Sequence, residues 1–442
     1  MAMVSKVLIT VLFLVCFGRS NYGVHGGRSI PGEEDLELEN QLKVLNKPPI
    51  KTIKVITDWE LIVSLGVIRS LLIVHTVIFF SFAQINQAIY DCIDVHRQPA
   101  LDHPLLKNHK IQRRPTFFPE KLELKPLAPA KHKTILPVAI NCPARTVPIR
   151  RTQKEDLTRA KFFSEMFTTD THPLTWITPG KHLAVHRSIP NPNITYKGIE
   201  AHINVYAPTA KKGQTSSAQM WIENGAPQIR NSLQAGWMVA PDLFGDARAH
   251  LFGYWSVRSL AHPQVQVPNG VQRGCFNHLC QGFVQTNQQY SLGVPFNNGS
   301  TYGDNNQMEI HLMIYQDPIN WNWWLTIPER NVTIGYWPAE IIPNLRQGAS
   351  IIAWGGQAIG LPNGFSPEMG SGHFPDGNYR HGCYFRQIHF VNATNVLEKP
   401  YLNMATFVDN NNCYDVKYDG IALNPDFNYG FVFGGPGGWC GR

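Results

Sequence analysis

Gln307-Met-Glu-Ile-His-Leu-Met-Ile-Tyr315, Trp323-Trp-Leu-Thr-Ile327 and Val332-Thr-Ile-Gly-Tyr-Trp337 follow one another with short gaps. Each run is too short for a helix of ordinary length and is rich in β-branched and aromatic residues, so each reads as a strand. In the first, Ile310, Leu312 and Ile314 alternate with Glu309, His311 and Met313, which gives one buried face and one of different character. Outward from there, His202-Ile-Asn-Val-Tyr206, Ala218-Gln-Met-Trp-Ile222 and Tyr384-Phe-Arg-Gln-Ile-His-Phe-Val391 read the same way. Asn224-Gly225, Asp304-Asn305, Asn363-Gly364 and Asp419-Gly420 supply turn chemistry between such runs, which suits an antiparallel β-sandwich. The 36 Gly and 32 Pro in 442 residues agree with many short strands, and a 43% hydrophobic, 11% aromatic chain can fill a sizeable core. An all-β main domain is the expectation.

The N-terminal third has a different texture. Lys6 is followed by an apolar run from Val7 to Phe17 and then by small residues to Gly26, the pattern of a secretory signal peptide, assigned to residues 1–23. The apolar run is too short to span a bilayer, which needs about 20 residues. Glu34 to Leu45 places Leu38, Leu42 and Leu45 at helical spacing, stopped by Lys47-Pro48-Pro49. Residues 61–83 are apolar enough to suggest a transmembrane helix. The stretch 55–84, however, starts on Val and ends in Phe79-Phe-Ser-Phe-Ala-Gln84, which is how a translated intron reads; a membrane segment and a buried helix are the alternatives. From Ile93 to about Pro190 the chain is Pro-rich and basic, with a further helix over Lys154–Phe163. Between Leu101 and Lys161 there are 14 Lys and Arg against 5 Asp and Glu, so the net charge of +7 belongs to this segment. The excess is either a solvated surface or a pro-segment face held against an acidic one.

No basic run interleaved with aromatics points to nucleic acid, and no GxGxxG loop, P-loop or HExxH helix is present. Sequons at Asn193, Asn298, Asn331 and Asn392 agree with export. Of eight Cys, Cys16 leaves with the signal, and seven remain for an oxidising compartment. Secretion, to the extracellular space, cell wall or vacuole, is the expected localisation.

Longer motifs carry a family resemblance. Tyr90-Asp-Cys-Ile-Asp-Val95, Gln98-Pro-Ala-Leu-Asp-His-Pro-Leu-Leu-Lys-Asn108 and Cys142 to Thr152 resemble the neprosin activation peptide. Gln234-Ala-Gly-Trp-Met-Val239, Leu243-Phe-Gly-Asp246, Gly274 to Gln285, Gly335-Tyr-Trp-Pro338, Trp354-Gly-Gly356, Met369-Gly-Ser-Gly-His-Phe-Pro375, Asn412-Cys-Tyr-Asp-Val416 and Gly434-Gly-Pro-Gly437 follow in the order of the neprosin domain. The resemblance implies a β-sandwich of glutamic-peptidase type behind a small mixed α/β pro-segment, with the pro-segment over 24–175 and the peptidase-like domain over 176–442. The pro-segment is expected to end in a loop region between about Thr168 and Asn193, ahead of the first sandwich strand, where Pro173, Pro179, Pro190 and Pro192 offer cleavage sites. The resemblance implies post-proline endopeptidase activity in acid, without metal or organic cofactor, on Pro-containing peptides or proteins. It also implies disulfides Cys275–Cys280 and Cys413–Cys440, a Cys92–Cys142 pair in the pro-segment, and Cys383 left free.

The family works with two glutamates, one activating water and the other protonating the carbonyl oxygen or leaving amine. The first precedes Ala-Gly-Trp, where this chain has Gln234; the second follows Trp-Gly-Gly, where it has Gln357. An amide does not titrate. The expectation is therefore a peptide-binding cleft with impaired catalysis. Glu368, beside Met369-Gly-Ser-Gly-His373, is the alternative carboxylate for an active enzyme. A third reading, a structural or carbohydrate-contacting sandwich, rests on Trp321, Trp323 and Trp324 as exposed aromatics.

Overall fold

The alternating runs fold as strands because their apolar parity gives each a face to bury. The computed structural model describes residues 31–56, 87–121, 132–167, 180–226, 229–257, 274–400, 403–418 and 429–441. Residues 1–23, read as a signal peptide, nearly all of 55–84, and Asp419-Gly420, read as a turn, lie outside them. Among the described residues no helix is long and apolar enough to cross a membrane.

Two large sheets make up the main domain. One has seven strands in the order β11 (Cys275–Phe276), β10 (His250–Val257), β9 (Asn231–Val239), β8 (Thr215–Asn224), β16 (Ile351–Ile359), β6 (Lys181–Ser188) and β20 (Met404–Val408). The other runs β12 (Val284–Gln285), β15 (Val332–Trp337), β14 (Trp323–Ile327), β13 (Gln307–Gln316), β7 (Gly198–Asn204), β18 (Cys383–Val391), β19 (Val396–Glu398) and β3 (Glu120–Lys121). Joined to it are β4 (His132–Thr134) on β13, β22 (Phe431–Gly434) on β18 and β21 (Asp415–Lys417) on β22. A short pair, β17 (Phe365–Ser366) with β23 (Gly438–Trp439), lies apart. Except for β3 and β4, which pair in parallel, the ladders are antiparallel. The core between the two sheets takes alternate residues from each: Ala218, Met220, Ile222, Leu233, Ala235 and Trp237 from one, Ile199, Ile203, Ile310, Leu312, Trp323 and Leu325 from the other. Gly225 and Gly364 adopt φ of +102° and +92°, the left-handed region that their turns require.

The N-terminal third forms a small unit of mixed structure. Helix α1 (Pro31–Leu45) precedes a three-stranded sheet of β1 (Lys51–Ile56), β2 (Gln87–Asp94) and β5 (Thr146–Arg150), and helix α2 (Lys154–Phe167) follows it. Strand β1 pairs with β2 antiparallel, with Lys54 opposite Ile89. The unit clasps the main domain. Tyr90 donates to the Gly293 carbonyl at 3.0 Å, and Gln98 and Gln285 exchange bonds of 2.8 and 3.1 Å. Ala100, Leu101 and Ile111 pack on Tyr315, Trp324 and Tyr336 of the eleven-stranded sheet. Disulfides join Cys92 to Cys142, Cys275 to Cys280 and Cys413 to Cys440, and Cys383 is buried and unpaired.

Candidate active site

Gln234 on β9 and Gln357 on β16 project from the same face of the seven-stranded sheet, the one turned away from the inter-sheet core. Parity fixes this: the intervening Ala235, Trp237, Trp354 and Ala358 all belong to the core. The two glutamines are not adjacent. Strand β8 separates them, with Gln234 opposite Trp221 and Gln357 opposite Ser217. At ordinary sheet spacing, two strands across and four residues along, their Cα atoms lie roughly 16 Å apart. A bound group would have to fill the space between them.

Gln219 occupies that space on the floor of the sheet, as diagonal neighbour of both. Its direct cross-strand partners are Gly236 on β9 and Gly355 on β16, so no side chain flanks it on either side. Gln219 Nε2 donates to Gln234 Oε1 at 2.7 Å, and Gln234 Nε2 donates to Ser232 Oγ at 3.1 Å. Ser232 in turn reaches Glu223 at 3.4 Å, which is paired with Arg230 at 3.5 Å. Gln234 is therefore held at both ends. Gln357 is not. It is fully buried, and neither Oε1 nor Nε2 has a hydrogen-bond partner; Gln219 Oε1 is also unpartnered. Burial of unpaired amide atoms costs about 1–3 kcal/mol per group. The face thus presents two acceptors and one donor with no internal use, the complement of a polypeptide backbone.

Helix α2 lies on one end of this face. Phe163 and Phe167 pack with Met238, Phe252, Tyr254, Phe276 and Ile359. The Phe167 ring is 5.4 Å from that of Tyr254, and Tyr254 stands opposite Gln234. The N-terminal unit thus covers part of the ground on which the glutamines stand.

Glu368 follows β17 and lies elsewhere: its carboxylate accepts from the Thr209 amide at 2.8 Å and sits against Gly372. Glu223, not Glu368, is the carboxylate linked to the glutamines, through Ser232. Gln219 and Glu223 escaped the sequence reading, although period two along β8 puts both on the face of Trp221, opposite Met220. Exposure of the tryptophans needs correction. Trp321 is 41% exposed, whereas Trp323 and Trp324 are fully buried. Adjacent strand residues point to opposite faces, and both faces are covered, by the core on one side and by Ala100, Leu101 and Ile111 on the other. Of the sequon asparagines, Asn193, Asn298 and Asn331 are exposed and Asn392 is half-buried.

A model described as Neprosin matches residues 212–436, and one described as Neprosin activation peptide matches residues 81–186. Among solved structures, the chain is similar to scytalido-glutamic peptidase with a peptide-based transition-state analog, at 12% identity over 58% of this chain and 99% of that one, with a TM-score of 0.31. It is also similar to SCP-B, a member of the Eqolisin family of peptidases in a complex with the tripeptide Ala-Ile-His, at 9% identity over 58% and 98% of the two chains, TM-score 0.31.

Proposed function

The chain belongs to the neprosin family, and from that premise we propose that it is a secreted, glutamic-peptidase-like protein that binds Pro-containing peptides and is impaired in cleaving them. The observation that carries this is Gln357, buried at a family glutamate position with both amide atoms unpartnered. An amide there can hold a peptide by hydrogen bonds but can neither take a proton from water nor give one to a leaving amine. The amide Gln234, fixed between Gln219 and Ser232, has the same limit. Post-proline cleavage in acid is the parent activity of which this chain keeps the binding half. Residues up to about 175 act as a pro-segment, with α2 lying over the face that the peptide would occupy.

The test is binding against cleavage. The loop expected over 168–193 holds β6 at 181–188, so the cut belongs ahead of that strand. Purified protein, intact and after an added protease has cut the chain between 168 and 180, is titrated in acid with a Pro-containing peptide while mass spectrometry follows its integrity. Saturable binding without new termini is expected after the cut, and Gln357→Leu should abolish the binding while leaving the protein folded. Turnover by the unaltered protein, lost in Glu368→Gln, would instead support an active enzyme with a displaced carboxylate.

A further inference from the structure

On the opposite sheet, the face turned away from the core carries a cluster that peptide binding does not use. His202 on β7 and His311 on β13 are directly opposite one another and stack at 4.1 Å. Glu329, in the short turn 328–330 between β14 and β15, reaches over them. Its Oε1 lies 3.4 Å from His202 Nε2 and 3.9 Å from His311 Nδ1.

Each imidazole is backed by a buried carboxylate on its far nitrogen. His202 Nδ1 is 3.0 Å from Glu309 Oε1, and His311 Nε2 is 3.4 Å from Glu200 Oε2. In the neutral rings those nitrogens carry the proton and donate to the carboxylates, which leaves His202 Nε2 and His311 Nδ1 as bare lone pairs directed at Glu329. His311 Nδ1 is buried without a hydrogen-bond partner. Two lone pairs and a carboxylate oxygen facing one another repel unless a cation stands between them. Around them, His389 Nδ1 lies 3.1 Å from the other Glu200 oxygen, and Arg386 Nε donates to Glu309 at 2.8 Å.

We propose that His202, His311 and Glu329 bind one divalent transition-metal ion of the zinc type, as a structural staple between β7, β13 and the turn 328–330. Two imidazoles and a carboxylate suit such an ion, and a histidine whose other nitrogen is held by a carboxylate is its usual partner. Ligand atoms around tetrahedral zinc stand roughly 3.3–3.5 Å apart, from bonds of about 2.0–2.1 Å, and the observed separations from Glu329 are close to this. Because the rings are parallel, joint coordination tilts their metal-facing edges together. The ion enters from the Glu329 side, where the carboxylate is 37% exposed. Thr134 Oγ1 donates to the other Glu329 oxygen at 2.7 Å, so β4 of the N-terminal unit is tied to the same point. The staple is separate from the glutamine face and takes no part in peptide cleavage.

The full-length protein, stripped with a chelator and dialysed, is titrated with Zn²⁺ at neutral pH by calorimetry, with thermal unfolding recorded in parallel. One Zn²⁺ per chain is expected, with a rise in Tm that the chelator reverses. Glu329→Gln and His311→Gln should each weaken binding at least tenfold and remove the Zn²⁺-dependent rise. The part-exposed Glu329→Gln should keep the chelator-treated Tm of the wild type, which separates lost ligation from lost folding. Co²⁺ should give the visible absorption of a low-coordinate centre in the wild type and not in Glu329→Gln. Absence of stoichiometric Zn²⁺ binding, or an affinity unchanged by both substitutions, overturns the proposal and leaves the cluster as a proton-balanced network.

Discussion

The outward faces of the two large sheets carry their polar groups in opposite ways. On the seven-stranded sheet, Gln219, Gln234 and Gln357 form a row of amides, and the linked carboxylate, Glu223, is set back behind Ser232. On the eleven-stranded sheet, Glu200, Glu309, His202, His311, His389 and Arg386 are interlocked ion pairs and imidazoles, all buried. The first face has spare hydrogen-bonding atoms and no titrating partner for them. The second has charge in abundance, most of it answered within the cluster. Both faces are partly covered by the N-terminal unit, through α2 on one and residues 99–111 on the other. Polar burial alone therefore does not identify a reaction centre: the amide row has no proton carrier of its own, while the charged network lies outside the motifs in which the two glutamines stand.

The largest effect should come from restoring charge to the amide row. Gln234→Glu with Gln357→Glu puts a base and an acid on one face of the seven-stranded sheet, two strands apart, and each such group contributes about 10²- to 10⁴-fold. After the chain has been cut between 168 and 180, ahead of β6, post-proline cleavage in acid should rise from undetectable to measurable by mass spectrometry of a Pro-containing peptide. Each single reversal should give less. A folded, peptide-binding double variant without cleavage would break the contrast, because the missing proton carrier would then not be the deficit.

The charged face should respond through stability. Arg386 Nε donates to Glu309 at 2.8 Å, its Nη2 bonds the other oxygen, and Tyr384 adds a bond of 3.0 Å. Burial by itself would raise the Glu309 carboxyl; the bonds from Arg386 and His202 outweigh it and hold the group well below the usual carboxylate range. Arg386→Met leaves that carboxylate without its guanidinium, at an expected cost of about 3–5 kcal/mol. Arg386→Met with Glu309→Leu should cost much less, since apolar groups of similar volume often replace a buried pair without loss. Urea unfolding of the three proteins in chelator measures this. Equal loss in the single and double variants would mean that the network acts through packing and not through charge.

Much of this contrast was legible in the sequence, and the limits were physical. Period two located β13, β14, β15 and β18 to within a residue, because one-sided burial imprints alternation on a strand. The motif order singled out Gln234 and Gln357, which stand on one face of the seven-stranded sheet. What alternation could not show is which strands become neighbours, so Gln219 between those two glutamines went unread. The convergence of His202, His311 and Glu329 from β7, β13 and a turn was hidden for the same reason. Trp324 was misjudged because an outward strand face looks solvated until the segment that covers it, here Ala100, Leu101 and Ile111, is seen in place.

The smallest effect concerns acid, where the amide face itself should be silent. His186 on β6 points from the seven-stranded sheet toward the core, stacked on Tyr418 at 4.6 Å, with neither ring nitrogen hydrogen-bonded. Burial lowers its pKa to about 4, from an ordinary value of 6.5. The unfolded chain therefore takes up a proton that the folded chain refuses between pH 6.5 and about 4, and stability must fall as the pH falls through that window. The full shift corresponds to at most about 3 kcal/mol. Replacing the imidazole by a similar ring that cannot titrate, His186→Phe, should flatten the corresponding part of the stability profile measured by urea unfolding from pH 7 to 4. Gln357→Leu should leave the slope as it is, since an amide adds no proton in either state. If the slope instead survived His186→Phe and vanished with Gln357→Leu, the glutamine face would have to be coupled to a titrating group, and its contrast with the charged sheet would fail.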